Sequence, residues 1–64
     1  MMAEDPDIAF LCGMIPHHQG AINMARVELQ YGDSDEAKRM AEMIIDAQEK
    51  EIAEMTRMIE DLAQ

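Results

Sequence analysis

The sequence predicts an all-α protein, an antiparallel helical hairpin that dimerises into a four-helix bundle. Apolar residues recur at three- and four-residue steps over residues 8–29 and again over 41–62, which is the spacing of one helix face. A polar link of very few residues separates the two patterns, and so short a link makes consecutive helices lie antiparallel. We therefore expect residues 1–64 to form one hairpin domain.

Helix one is expected over about residues 6–31. Asp5 followed by Pro6 is typical of an N-cap with proline at the first helical position, and Gly32 is expected to end the helix. One stripe of this helix, apolar except for a single histidine, consists of Ile8, Leu11, Ile15, His18, Ile22, Ala25 and Leu29. The stripe beside it consists of Phe10, Met14, His17, Ala21, Met24, Glu28 and Tyr31. Because one partner helix cannot cover two adjacent stripes, we expect a homodimer or a larger even assembly.

Helix two is expected over about residues 34–63, since Asp33 and Glu36 have the spacing of a capping box. Its seam consists of Ala41, Ile44, Gln48, Ile52, Met55, Ile59 and Leu62. Pairing counted outward from the loop centre predicts the contacts across the hairpin, which are His18 with Gln48, Met14 with Ile52, and Met24 with Met40 and Met43.

Composition excludes several classes of partner. Fourteen Asp and Glu against five Lys and Arg give a net charge of −9, which repels nucleic acid and anionic lipid. No apolar run approaches the ~20 residues of a membrane span. The acidic amino end does not have the pattern of a signal peptide, so a cytoplasmic location stays open. One cysteine cannot form a disulfide within the chain. A bound metal and self-association are therefore the remaining ways to stabilise so small a core.

The segment from Gly13 to Gly20 is unfavourable as plain helix, because an interior proline such as Pro16 costs ~3 kcal/mol. One interpretation is a kink that turns Met14, His17 and His18 toward a common centre. The alternative is that the helix starts again at Pro16.

The methionines and histidines predict a soft-metal site. Thioether sulfur selects copper(I), and imidazole also binds copper. His18 alone is typical of a core histidine bonded to Gln48, but His17 shares its side of the helix with Met14 and Met24. The predicted ligands of copper(I) or silver(I) are Met14, His17, His18, Met24, Met40 and Met43. Met55 is expected in the core, and Cys12 is expected to be a small buried hydrophobe.

Two other functions fit the residues less well than metal binding. A di-iron enzyme needs Glu-x-x-His motifs, but the residues three before His17 and His18 are Met14 and Ile15. No nucleophile stands with a base and no glycine loop is present, so an enzyme is not expected. A structural or adaptor hairpin with a methionine-rich partner surface explains the methionines but not the Pro-His-His segment.

The runs FLCGMIPHHQGAINMA, from Phe10 to Ala25, and AEMIIDAQEKEIAEM resemble the CopM-like family, domain of unknown function 305. This ferritin-like helical group is linked to bacterial copper handling. The resemblance implies a helical bundle, copper or silver binding through Met and His, and a periplasmic or other extracytoplasmic location. By position, Met14, His17, His18 and Met24 match the first motif, and Gln48, Glu51 and Met55 match the second.

Overall fold

The computed structural model describes residues 5–63. Helix α1 spans Pro6–Tyr31 and helix α2 spans Asp35–Leu62, and the two pack against each other as a hairpin of 47 × 16 × 13 Å. The all-α hairpin predicted from the sequence is confirmed. Within the described residues, neither helix carries a stretch apolar enough to cross a membrane.

Helix α1 begins where the sequence predicts. An Asp5 carboxylate oxygen accepts hydrogen bonds from the N–H groups of Asp7 at 2.9 Å and Ile8 at 3.3 Å, and Pro6 occupies the first helical position. The helix continues through Pro16 without interruption. The interpretation that it starts again at Pro16 is therefore wrong, and the kink stays a prediction.

Gly32 follows the last residue of α1, as expected. Its N–H donates to the Glu28 carbonyl at 2.7 Å, and its φ of −75° and ψ of 157° describe extended backbone. Glycine suits this position because of a close approach. A β-carbon added at Gly32 would lie 2.6 Å from the Glu28 carbonyl oxygen.

The residue that caps α2 corrects the sequence prediction. Ser34, not Asp33, is the N-cap, and its hydroxyl accepts the N–H of Ala37 at 3.1 Å. The turn takes residues 32–34, so the helix begins one residue later than the Asp33–Glu36 spacing implied.

Replacing Ser34 with alanine is expected to lower the free energy of unfolding by about 1 kcal/mol, because the Ala37 N–H loses its acceptor. Asp33→Ala is the matched control and should cost only a few tenths of a kcal/mol, the contribution of a charge near a helix N-terminus. Urea unfolding at one protein concentration measures both values. Equal losses would contradict the assignment of Ser34 as the cap.

The core is small and lies along the seam between the helices. The first stripe of α1 faces the seam of α2, and the buried apolar residues are Leu11, Ile22, Ala25, Ala41 and Met55. The expectation that Met55 belongs to the core is thus confirmed. The second stripe of α1 is largely uncovered, since Phe10 is 63%, Met24 75% and Tyr31 72% exposed.

Candidate metal site

His18 lies halfway along the hairpin and is held at both ring nitrogens. Nδ1 lies 2.9 Å from the Met14 carbonyl oxygen, one turn back in α1. Nε2 lies 2.5 Å from Oε1 of Glu51, across the seam in α2. The His18 side chain is 15% exposed and that of Glu51 is 49% exposed. His18 and Glu51 therefore form a polar contact across the interface between the two helices.

The partners of the His18 ring determine how its nitrogens are used. A carbonyl oxygen only accepts hydrogen bonds, so Nδ1 carries a proton and donates it to Met14. A carboxylate oxygen is also an acceptor, so a hydrogen bond between Nε2 of His18 and Oε1 of Glu51 requires one proton between these two atoms. Histidines that bind metals commonly donate one ring N–H to a carbonyl and bind through the other nitrogen. In His18 the Nδ1 proton is held by a carbonyl in this way, and Nε2, which contacts Glu51, would exchange that carboxylate for the metal.

The partner of His18 differs from the one predicted. The sequence pairing placed Gln48 beside His18, but the bond is made by Glu51, one turn farther along α2. Counting from the loop centre assumed that the numbers of two paired residues add up to the same value along the whole hairpin. The observed pair is shifted by three residues, and a long carboxylate side chain reaches the ring from beside the seam.

The other predicted ligands of the Pro-His-His segment differ in how far they are buried. Met14 is half-buried, whereas His17 is exposed, because the next residue of a helix lies about 100° around its axis. Cys12 is also exposed, so the expectation of a buried cysteine is wrong. It follows Leu11, which is buried against α2, and the same rotation carries Cys12 out of the seam.

A second group of donors lies nearer the turn. Met24 and Met40 line one groove between the helices, together with the side chains of Ala21, Ala25, Glu28, Ala37, Ala41 and Ile44. Met43 does not line this groove and is 67% exposed. Seven residues separate Met24 from His17, about 10 Å along the helix axis. The predicted ligands therefore form two groups in one hairpin, one around His18 and one at Met24 and Met40.

The group around His18 and the group at Met24 and Met40 also differ in the types of ligand they offer. Within residues 5–63, no three or more His, Cys, Asp or Glu side chains form a group that could hold a metal ion. The group around His18 offers imidazole and carboxylate, and the group near the turn offers two thioethers. Imidazole and thioether donors together suit copper(I), while thioethers are the softer of the two.

Comparison with known proteins gives one match. Residues 1–59 match the family described as "Domain of unknown function (DUF305)". The chain belongs to the DUF305 family. No curated protein and no solved structure matches this DUF305 chain.

Glu51 is the residue that sequence reasoning left out of the candidate site. The resemblance placed it in the second motif of the DUF305 chain, but the predicted ligand set does not include it. A usable signal was present. Glu51 lies in α2 at nearly the level of the two histidines, and a carboxylate beside an apolar seam is well placed to bond an imidazole.

Proposed function

We propose that this DUF305 chain binds copper(I) or silver(I) and buffers or delivers the ion. The observation that carries the proposal is the orientation of His18, whose Nδ1 is anchored on the Met14 carbonyl while Nε2 is directed across the hairpin. In this proposal His18 and the half-buried Met14 contribute to one part of the site, and Met24 and Met40 contribute thioethers to the other. Binding without catalysis belongs to the proposal because the sequence predicts no catalytic arrangement, and an extracytoplasmic location belongs to it through the family resemblance.

The adaptor function has one observation in its favour. Met24 is 75%, Met40 58% and Met43 67% exposed, and flexible thioether side chains form adaptable surfaces for protein partners. An adaptor does not need the anchored imidazole of His18. The two functions therefore predict different results when a metal is added. In the metal-binding function the histidine and the methionines bind the ion, and in the adaptor function they do not.

Anaerobic titration with copper(I) or silver(I) against a competing chelator tests the metal proposal. We expect both ions to bind far more tightly than zinc(II), because methionine is not among the usual zinc ligands. The double variant Met24→Leu with Met40→Leu should weaken silver(I) binding by at least about tenfold, and His18→Ala should do the same.

The control is Met55→Leu, which removes a thioether from the core and should leave silver(I) affinity unchanged. Glu51→Gln keeps the size of the side chain and removes its charge. Because a metal at Nε2 displaces the contact with Glu51, we expect no large loss of silver(I) affinity in this variant. Equal affinity for zinc(II) and silver(I), or binding that survives the loss of His18 and of both groove methionines, would refute the proposal and favour the adaptor.

A further inference from the structure

The hairpin is more extended and exposes more surface than a compact protein of its size. The radius of gyration is 14.7 Å, whereas a compact chain of this length has about 11 Å. The accessible surface of 4885 Å² exceeds by roughly 700 Å² the value for a compact protein of this mass. A standard protein interface covers about 800 Å² on each partner. The excess therefore matches the area that one partner would cover.

Several exposed apolar side chains lie along one face of the hairpin, the groove face, which we define by the residues that line the two inter-helix grooves and by the positions between them. At the open end of the hairpin, Phe10, Met58 and Leu62 line one groove. Near the turn, Met24 and Met40 line the other. His17 lies on the same stripe of α1, seven residues from both Phe10 and Met24. The groove face is thus mainly apolar at its two ends, where Asp7, Asp61 and Glu28 are the charged lining residues, and polar at its middle.

We infer that a second copy of this chain covers the groove face in antiparallel orientation, so that the open end of each hairpin lies on the turn end of the other. Shape is the first argument. The open-end groove carries bulky side chains, whereas four alanines line the groove near the turn. Antiparallel stacking sets the bulky open-end side chains against a groove that four alanines line beside Met24, Met40 and Ile44, whereas parallel stacking sets Phe10 against the partner's Met58.

Charge is the second argument for antiparallel stacking. The turn half, residues 19–48, has six acidic and three basic residues. The open half, residues 5–18 and 49–63, has seven acidic and two basic residues. Parallel copies bring the two more acidic halves together, and like charges repel. Antiparallel copies place each more acidic half against a less acidic one.

The register of this dimer follows from the spacing of its bulky residues. When Phe10 packs against the partner's Met24, the twofold axis passes at the level of His17, because His17 lies midway between them. The same axis places Met58 opposite the partner's Ile44, and Leu62 opposite the partner's Met40. The two His17 rings then meet at the centre of the interface, near both His18–Glu51 pairs. We infer from this register that both copies supply imidazole to one shared soft-metal site. This step rests on the proposed function.

Single-cysteine variants in a Cys12→Ser background test the orientation without metal. With diamide as the oxidant, His17→Cys should form a disulfide-linked dimer, since a disulfide needs Cα atoms within about 7 Å. A mixture of the Phe10→Cys and Met24→Cys chains should link to each other. Phe10→Cys alone should not, because its two copies lie about 21 Å apart along the helix axis.

Parallel copies would instead link Phe10→Cys to Met58→Cys and leave His17→Cys unlinked, which would overturn the inference. Sedimentation should give twice the mass of the 7.3 kDa chain. A folded monomer at the concentrations of the cross-linking experiment would overturn it as well, and would point to another occupant of the groove face.

Silver(I) titration separates the shared site from the dimer. His17→Ala should lower silver(I) affinity by at least about tenfold, and silver(I) should tighten the wild-type dimer, because a ligand stabilises the state that binds it. Unchanged affinity in His17→Ala would overturn the shared site. If silver(I) does not bind at all to a dimer that cross-links as expected, the proposed function fails and the antiparallel dimer stands.

Discussion

Ile22→Ala is expected to unfold most of the protein at 25 °C. Ile22 is 1% exposed and is the largest fully buried side chain among the described residues. Truncating a buried isoleucine to alanine costs about 2–5 kcal/mol, and a chain of this size rarely has more than ~3–5 kcal/mol in total. Loss of the far-ultraviolet circular dichroism signal in water, at the protein concentration used for wild type, measures the effect.

Val27→Ala is the control for this experiment. Val27 lies in the same helix but is 56% exposed, and exposed substitutions usually change stability by less than about 0.5 kcal/mol. A cooperative urea transition of Ile22→Ala at the wild-type midpoint would show that the seam between α1 and α2 is not where the stability resides.

Pro16→Ala is expected to stabilise the hairpin by as much as ~3 kcal/mol. Because α1 continues through Pro16, an alanine at this position restores an N–H that can donate to the Cys12 carbonyl. It also removes the steric conflict between the proline ring and that carbonyl. The gain should appear as a higher urea midpoint and a higher helix content.

If the proline shapes the metal site through a kink, the same variant should bind silver(I) more weakly. Pro6→Ala is the matched control, since proline at the first helical position leaves no hydrogen bond unmade, and its stability should stay near that of wild type. A loss of stability in Pro16→Ala would contradict the cost assigned to an interior proline in α1.

The periodicity of the apolar residues was enough to predict the fold. The three- and four-residue steps identify the stripe containing Leu11 and Ile22 and the seam containing Ala41 and Met55, and all four side chains are buried. The Asp5–Pro6 signal was also sufficient, because capping depends on neighbouring residues alone. The cap of α2 was missed by one residue, since the length of a turn depends on how the two helices dock.

The site was less predictable because its contacts cross between helices. The residue types that suit a soft metal are visible in the sequence, but whether Gln48 or Glu51 meets His18 depends on the helix register. Spacing placed His17 and Met24 on one stripe and also about 10 Å apart along the axis, so a site that joins them needs ligands from elsewhere, which the spacing does not identify. Exposure of Cys12 required knowing which side of α1 faces α2.

The order in which oxidants reach the methionines depends on how far each side chain is buried. Met24, Met40 and Met43 are each more than half exposed, whereas Met55 is 9% exposed. Sulfoxide formation turns an apolar thioether into a polar group and disrupts a core when it occurs there. Peroxide should therefore modify Met43, which lines neither groove, while the hairpin is still folded, and should modify Met24 and Met40 where the groove face is uncovered. Reduction of their sulfoxides would then restore the protein without any need for refolding.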